Sequence, residues 1–235
     1  MTAKRYILSI DQGTTGSAAL VFDSEGKILA EADLETKQIY PHPGWVEHDP
    51  NEIFQTSLEV ARTALQKAAI PVTAIAGIGI TNQRETTIVW DRKTGEPVNN
   101  AVVWQCRRTA SLVEDLKNRG LNQSICDKTG LIPDAYFSAT KVRWILDHIT
   151  DGQRRAEGGD LLFGTVDTWL AWKLSGGKAH VTDFGNASRT MLYNINTLQW
   201  DNDILSNLNI PAGMLPEVIP SSHVYGETAA GMFKG

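Results

Sequence analysis

Runs of apolar residues divide the chain into legible pieces. Tyr6-Ile-Leu-Ser-Ile10 and Gly16-Ser-Ala-Ala-Leu-Val-Phe22 are β-like runs separated by the polar turn Asp11-Gln-Gly-Thr-Thr15, and Asp23-Ser-Glu-Gly26 returns the chain into a third run over 27–33. This spacing predicts an antiparallel meander and not a Rossmann start. Asp49 is placed to cap a helix, Pro50 suits its first position, and Glu52 lies three residues after the cap. Ile53, Phe54, Ser57, Leu58, Ala61, Leu65 and Ala68 fall on one stripe at helical spacing, and Pro71 forbids continuation. The near-continuous apolar run Ile75-Ala-Gly-Ile-Gly-Ile80 predicts a strand covered on both faces. The expected order is β-β-β-α-β.

Downstream, Leu112, Val113 and Leu116 mark a helix ending near Gly120, and Val142, Ile145, Leu146 and Ile149 mark another with Ser138 as its cap. A short strand is expected at 161–163 and a helix over 165–174 with Asp167 near its start. Asp201 is placed to cap a helix carrying Ile204, Leu205 and Leu208, which Pro211 stops. Segments 40–44 and 151–160 have the Gly, Pro and polar content of surface loops. No repeat, heptad or low-complexity stretch interrupts the pattern.

Composition narrows the class. At 235 residues and 42% hydrophobic content the chain can bury a real core as one large domain or two small ones. A net charge of -5, with Arg107-Arg108 and Arg154-Arg155 as isolated basic pairs, gives no electrostatic reason to expect nucleic acid or anionic membrane as a partner. The first residues lack a secretory h-region, and no window approaches the roughly 18 apolar residues of a membrane span, so a cytoplasmic location is expected. Cys106 and Cys126 form no CxxC pair and are too few for a disulfide framework.

The candidate chemistry lies in three polar interruptions. In Asp11-Gln-Gly-Thr-Thr15, Gly13 lets the backbone approach a phosphate, Thr14 and Thr15 offer hydroxyl and amide donors, and Asp11 offers a hard oxygen to Mg²⁺ or its waters. Arg84 and Glu85 place opposite charges side by side directly after an apolar run, as a small polar ligand requires. Ala101-Val-Val-Trp-Gln-Cys-Arg-Arg108 adds Trp104. From the residues alone, an ordinary hairpin turn, surface charges and core aromatics are equally open readings. Ser175-Gly-Gly-Lys178 lacks the glycine spacing of a P-loop, and no GxGxxG follows a strand. His42 and His48 match no standard metal motif, and the Asn122 and Asn186 sequons carry no meaning without a secretory signal.

Taken in order, the meander, the Asp-Gln-Gly-Thr-Thr turn, Ile80-Thr-Asn-Gln-Arg-Glu-Thr86 and Trp104-Gln-Cys-Arg-Arg108 resemble the glycerol branch of the FGGY carbohydrate kinases. So do Gly44 to Pro50, Phe163 to Trp169, Thr182 to Arg189, Pro216-Glu-Val218 and Ser222 to Gly226, so the resemblance spans the chain. It implies an α/β, actin-like or ribonuclease-H-like fold, a mixed sheet flanked by helices. Residues 1–235 would form the first of two domains that face each other across a cleft, the second lying outside this chain.

The activity implied is transfer of the γ-phosphoryl group of ATP, with Mg²⁺, to a terminal hydroxyl of glycerol. Asp11 is then the metal residue; Gly13, Thr14, Thr15 and Gly16 face the nucleotide phosphates. Arg84, Glu85 and Tyr136 meet glycerol hydroxyls, and Trp104 offers an apolar face to the carbons. The catalytic base is expected in a Gly-Asp-Gln motif beyond residue 235. No such tripeptide occurs here, and Asp151-Gly-Gln153 has the wrong order. The chain is therefore expected to hold glycerol contacts and part of a phosphate site without its own base, the full enzyme being a homodimer or homotetramer. Two features depart from the family pattern: Ala18 stands where an arginine is usual, and Glu227 to Gly235 carries neither the arginine-bearing glycine loop nor the phosphorylatable histidine of some bacterial members. A glycerol-binding module without chemistry, and a kinase for a longer sugar or polyol, are the alternatives.

Overall fold

The computed structural model describes residues 5–233. In chain order the elements are β1 (Tyr6–Gln12), β2 (Gly16–Phe22), β3 (Ile28–Glu35), β4 (Glu47–His48), α1 (Pro50–Lys67), β5 (Ile75–Asn82), β6 (Ile88–Asp91), β7 (Ala101–Val102), α2 (Ala110–Asn118), α3 (Asn122–Thr129), α4 (Ser138–His148), α5 (Gly152–Glu157), β8 (Leu161–Gly164), α6 (Val166–Leu174), β9 (Val181–Asp183), α7 (Phe184–Ser188), β10 (Tyr193–Asn194), β11 (Gln199–Trp200), α8 (Asn202–Asn207) and β12 (Glu217–Ile219). The main sheet has the order β3-β2-β1-β5. Its first three strands are the antiparallel meander, and β5 joins β1 in parallel after the crossover through α1. This is the mixed, ribonuclease-H-like arrangement.

Helix α1 covers one sheet face. Leu8, Ile10, Ala19, Val21 and Ala32 pack there against Val60, Ala61, Ala64 and Leu65. The buried stripe of α1 runs through Ile53, Thr56, Ser57, Val60, Ala61, Ala64 and Leu65, slightly rotated from the expected one: Phe54, Leu58 and Ala68 are only half-buried. Two hydroxyls account for the rotation. Ser17 on β2 lies 3.0 Å from Thr56 Oγ1, so polar positions occupy the centre of the contact. Asp49 caps α1 through Asn51, but Glu52 does not close a capping box; it accepts the Lys37 N–H at 2.8 Å instead.

A second core joins β6, β8 and the helices α2 to α5 and α8. Three expectations fail for physical reasons, and one helix, α3, arises where none was expected. Strand β5 is not covered on both faces: it ends the sheet and is half-exposed, because two of its apolar positions, Gly77 and Gly79, have no side chain to bury. Ser138 does not cap α4 but begins it, its hydroxyl donating to the Glu85 carbonyl at 2.9 Å. Segment 151–160 contains the short helix α5, and α3 spans a stretch with no apolar periodicity; each has just two buried residues, too few to write a stripe. Asp201 does cap α8, accepting from Asp203 and Ile204.

The buried His48 and Asp167 and the half-buried His180 give the fold a measurable pH response. Burial pushes His48 and His180 down to about 4 from 6.5. Burial pushes Asp167 up to about 6 from 3.8, even though it accepts the Thr165 and Thr182 hydroxyls. Between pH 6.5 and 4 the unfolded chain binds more protons at both histidines, so acidification removes about 3 kcal/mol of stability per ring. Asp167 acts in reverse, because the folded state takes up its proton first; it restores about 3 kcal/mol as pH falls from 6 to 4. Asp167→Asn deletes only this compensation. Urea unfolding is expected to show the variant losing about 3 kcal/mol more than the parent across that window; parallel curves would refute the assignment.

Candidate functional site

The turn between β1 and β2 is built from Gly13, Thr14, Thr15 and Gly16, closed by Gly13 N–H donating to the Gly16 carbonyl at 2.8 Å. Asp11 is exposed at the end of β1, opposite Ala18 on β2 and Thr81 on β5, and forms no ion pair among the described residues. Thr15 is exposed and Thr14 half-exposed. Gly16 has a packing reason beyond any ligand: a Cβ there would stand 2.7 Å from the Leu34 carbonyl oxygen on β3. The turn is anchored from behind as well. Thr36 N–H donates to the Thr15 carbonyl, and the Gln38 side chain donates to the Thr14 carbonyl at 2.8 Å.

A second turn follows β5. Thr86 N–H donates to the Arg84 carbonyl at 2.7 Å, making a three-residue γ-turn whose central residue, Glu85, has φ 63°. That form is rare and strained for a side-chain-bearing residue. It is over-determined by its neighbours: the Glu85 carbonyl accepts hydroxyls from Ser138 at 2.9 Å and Thr87 at 3.1 Å. The consequence is directional. The Glu85 side chain is held buried, whereas Arg84 beside it is exposed and makes no ion pair among the described residues.

Glu85 Oε1 accepts the Arg189 Nε–H at 2.6 Å, with the carboxylate side chain 3% and the guanidinium 30% exposed. Arg189 lies over the Phe137 and Tyr136 rings, 5.1 and 5.7 Å from their centroids. Tyr136 in turn packs on Trp104, 5.2 Å between centroids. The loop carrying Tyr136 is fixed at both ends. Asp134 accepts both the Tyr136 N–H at 2.8 Å and Arg107 at 2.7 Å, and the buried Lys141 ammonium donates to the carbonyls of Ala135, Tyr136 at 2.6 Å and Phe137 at 3.2 Å. Trp104 joins the two turns, because its indole N–H donates to Thr14 Oγ1 at 2.9 Å. With that lone pair occupied, the Thr14 hydroxyl hydrogen is left to point elsewhere as a donor.

Glu85, Tyr136, Trp104 and Thr14 are therefore joined in one chain of contacts through Arg189, while Arg189, Lys141 and His48 are participants that sequence reading missed. Arg189 is 104 residues from Glu85, and no local pattern announces their pairing. Burial pushes His48 down to about 4, and it bonds only amide side chains. No group of three or more metal-ligating side chains occurs among the described residues. A single exposed carboxylate such as Asp11 suits Mg²⁺, which keeps most of its waters and takes further oxygens from substrate phosphates. A separate cavity of about 680 Å³ runs along β5 and includes Asp167, Asp183 and Asn186, but not Glu85, Trp104 or Tyr136. No helix among the described residues is long and apolar enough to cross a membrane.

Comparison with known proteins agrees in fold and sequence. The glycerol kinase of Caldanaerobacter subterraneus subsp. tengcongensis is 58% identical over 229 residues, covering 97% of this chain and 46% of that protein. Glycerol kinase 2 of Thermotoga maritima matches at the same identity and coverage, 58%, 97% and 46%. The crystal structure of Plasmodium falciparum glycerol kinase with ADP superposes with a TM-score of 0.91 at 35% identity, covering 99% of this chain and 46% of that one. Gluconate kinase from Lactobacillus acidophilus superposes at 0.87 with 28% identity, covering 97% and 44%. The chain thus spans about half the length of the relatives it matches. Residues 6–235 match the N-terminal domain of the FGGY family of carbohydrate kinases, and the chain belongs to that family.

Proposed function

We propose that this domain supplies the polyol-binding wall and part of the phosphate site of an ATP- and Mg²⁺-dependent glycerol kinase. The observation that carries the reading is the buried Glu85 carboxylate: Arg189 holds one oxygen, the other is unclaimed among the described residues, and the same Arg189 lies over the Tyr136 ring, which packs on Trp104. Glu85 Oε2 accepts a glycerol hydroxyl, Tyr136 and Arg84 add polar contacts, and Trp104 covers the carbons. A buried acceptor of this kind rejects ligands that leave it unpaired. ATP with Mg²⁺ supplies the phosphoryl group and neutralises its charge. Asp11 holds the metal or its waters, and the Gly13–Gly16 turn lines the phosphates with backbone and hydroxyl donors. The base that takes the hydroxyl proton is not assigned to any residue here. Cytoplasmic location and dimeric or tetrameric assembly belong to the same reading.

The test is a coupled assay of glycerol 3-phosphate formation alongside calorimetric titration with glycerol. The 235-residue chain is expected to bind glycerol without turning over. Steady turnover abolished by Glu85→Ala would place a base within these residues and overturn the division of labour. In a two-domain enzyme built on this domain, Asp11→Asn is expected to lower Mg²⁺-dependent turnover by roughly 100-fold while glycerol affinity stays within about twofold. Equal losses would show that Asp11 serves both ligands.

A further inference from the structure

Beneath the two turns, six residues close a hydrogen-bond circuit. Trp104 N–H donates to Thr86 Oγ1 at 3.3 Å, and the Thr86 hydroxyl donates to Gln83 Oε1 at 2.8 Å. Gln83 Nε2 donates to His48 Nδ1 at 3.2 Å, and His48 Nε2 donates to Gln38 Oε1 at 2.9 Å. Gln38 Nε2 donates to the Thr14 carbonyl at 2.8 Å, and the Trp104 indole reaches Thr14 Oγ1 to complete the ring.

The direction of every link is forced by neighbours. Gln38 Nε2 faces two carbonyls, Thr14 and Thr36, so its oxygen must face the imidazole and His48 Nε2 must carry the hydrogen. On the other side, Gln83 Nε2 faces Gln12 Oε1 at 2.9 Å and the Gly13 carbonyl at 3.3 Å. The Gly13 carbonyl is an acceptor only, and Gln12 Nε2 donating to that same carbonyl turns Gln12 Oε1 to Gln83, so the Gln83 atom is the amide nitrogen; its two hydrogens are shared among three acceptors, and His48 Nδ1, facing that donor, is a bare lone pair. Both sides independently select the neutral Nε2–H tautomer. No other residue type offers an acceptor and a donor at this spacing within one rigid ring.

We propose that His48 is a positioning residue that relays the polyol wall, at Trp104 and Thr86, to the Thr14 carbonyl, holding the phosphate turn in the register set by the polyol turn. The functional meaning rests on the reading of the two turns given above; the relay itself rests on geometry. Hydrogen bonds arranged donor to acceptor in one direction polarise one another, so a break at one end is felt at the other.

The test uses the 235-residue protein with ¹⁵N-labelled histidine. At neutral pH the His48 ring is expected to show a protonated Nε2 and an unprotonated Nδ1; an Nδ1–H ring or an imidazolium overturns the relay. Thr86→Val removes one hydroxyl with little change of shape and is expected to shift the His48 ring nitrogens and the Thr14–Thr15 amide signals. Shifts confined to residues touching Thr86 count against it. Calorimetry supplies the functional arm. Gln38→Met is expected to weaken glycerol binding roughly threefold, and no further in a Thr86→Val background, because both cut one circuit; independent, multiplying losses overturn the coupling. If the parent protein binds no glycerol, the proposed function fails, while the tautomer and the reach of Thr86→Val still decide the relay.

Discussion

Arg189→Met is expected to weaken glycerol binding by about 10- to 100-fold and to cost about 2 to 3 kcal/mol of stability. Glu85 is buried in a strained turn that cannot rotate it into water, and Arg189 is its ion-pair partner among the described residues. Removing that partner leaves a carboxylate in a site built for a pair, which is far more damaging than replacing both groups together. The stability cost falls at the lower end of the range for buried pairs because the guanidinium is 30% exposed and partly solvated already. Arg189→Lys keeps the charge but offers no planar Nε–H at the Glu85 distance, so it should recover less than half of the lost affinity in free-energy terms. Calorimetric glycerol titration with urea unfolding reads both effects. Unchanged affinity in Arg189→Met would detach Arg189 from the polyol site.

The second large effect is expected at Lys141. Its ammonium has no exposed surface and donates to three consecutive carbonyls, Ala135, Tyr136 and Phe137. Desolvation pushes this lysine down to about 7, yet only the ammonium has three N–H donors for three acceptors. Lys141→Met deletes all three bonds and leaves the carbonyls buried without partners, at about 1 to 3 kcal/mol each, while relieving the cost of burying the charge. A net loss of about 3 kcal/mol is expected, which for a domain of this size lowers Tm by roughly 6 to 10 °C. Release of the loop should also loosen the Tyr136 ring, so glycerol affinity falls in parallel. A stable variant with intact affinity would show that Asp134 and Arg107 suffice to fix the loop.

Local chemistry explains which features were legible in the sequence. The meander, the Asp49-Pro50 start of α1 and the Asp201 cap of α8 each depend on residues within a few positions of one another, so a single chain displays them. Strand β6 was missed because Ile88-Val-Trp90 is buried on both faces and shows no alternation. The site divides the same way. Glu85 and Thr14 lie in recognisable turns, but what orients them comes from far away: Arg189 from the end of α7, Ser138 from α4, and His48 from a two-residue strand. His48 in particular matched no standard metal motif and announced no other role; its partners proved to be glutamines, whose side chains carry no sequence signature for pairing.

The close passage of β3 over Gly16 has a consequence for where functional variation would be found. Any side chain at 16 must push the Leu34 carbonyl outward, and the same exit from β3 carries the Thr36 and Gln38 bonds that hang on Thr15 and Thr14. The Thr-Thr pair and residues 34–38 are one mechanical piece. A random-mutagenesis screen for altered nucleotide affinity should therefore return substitutions in 34–38, a stretch with no chemistry of its own, about as readily as in the turn itself.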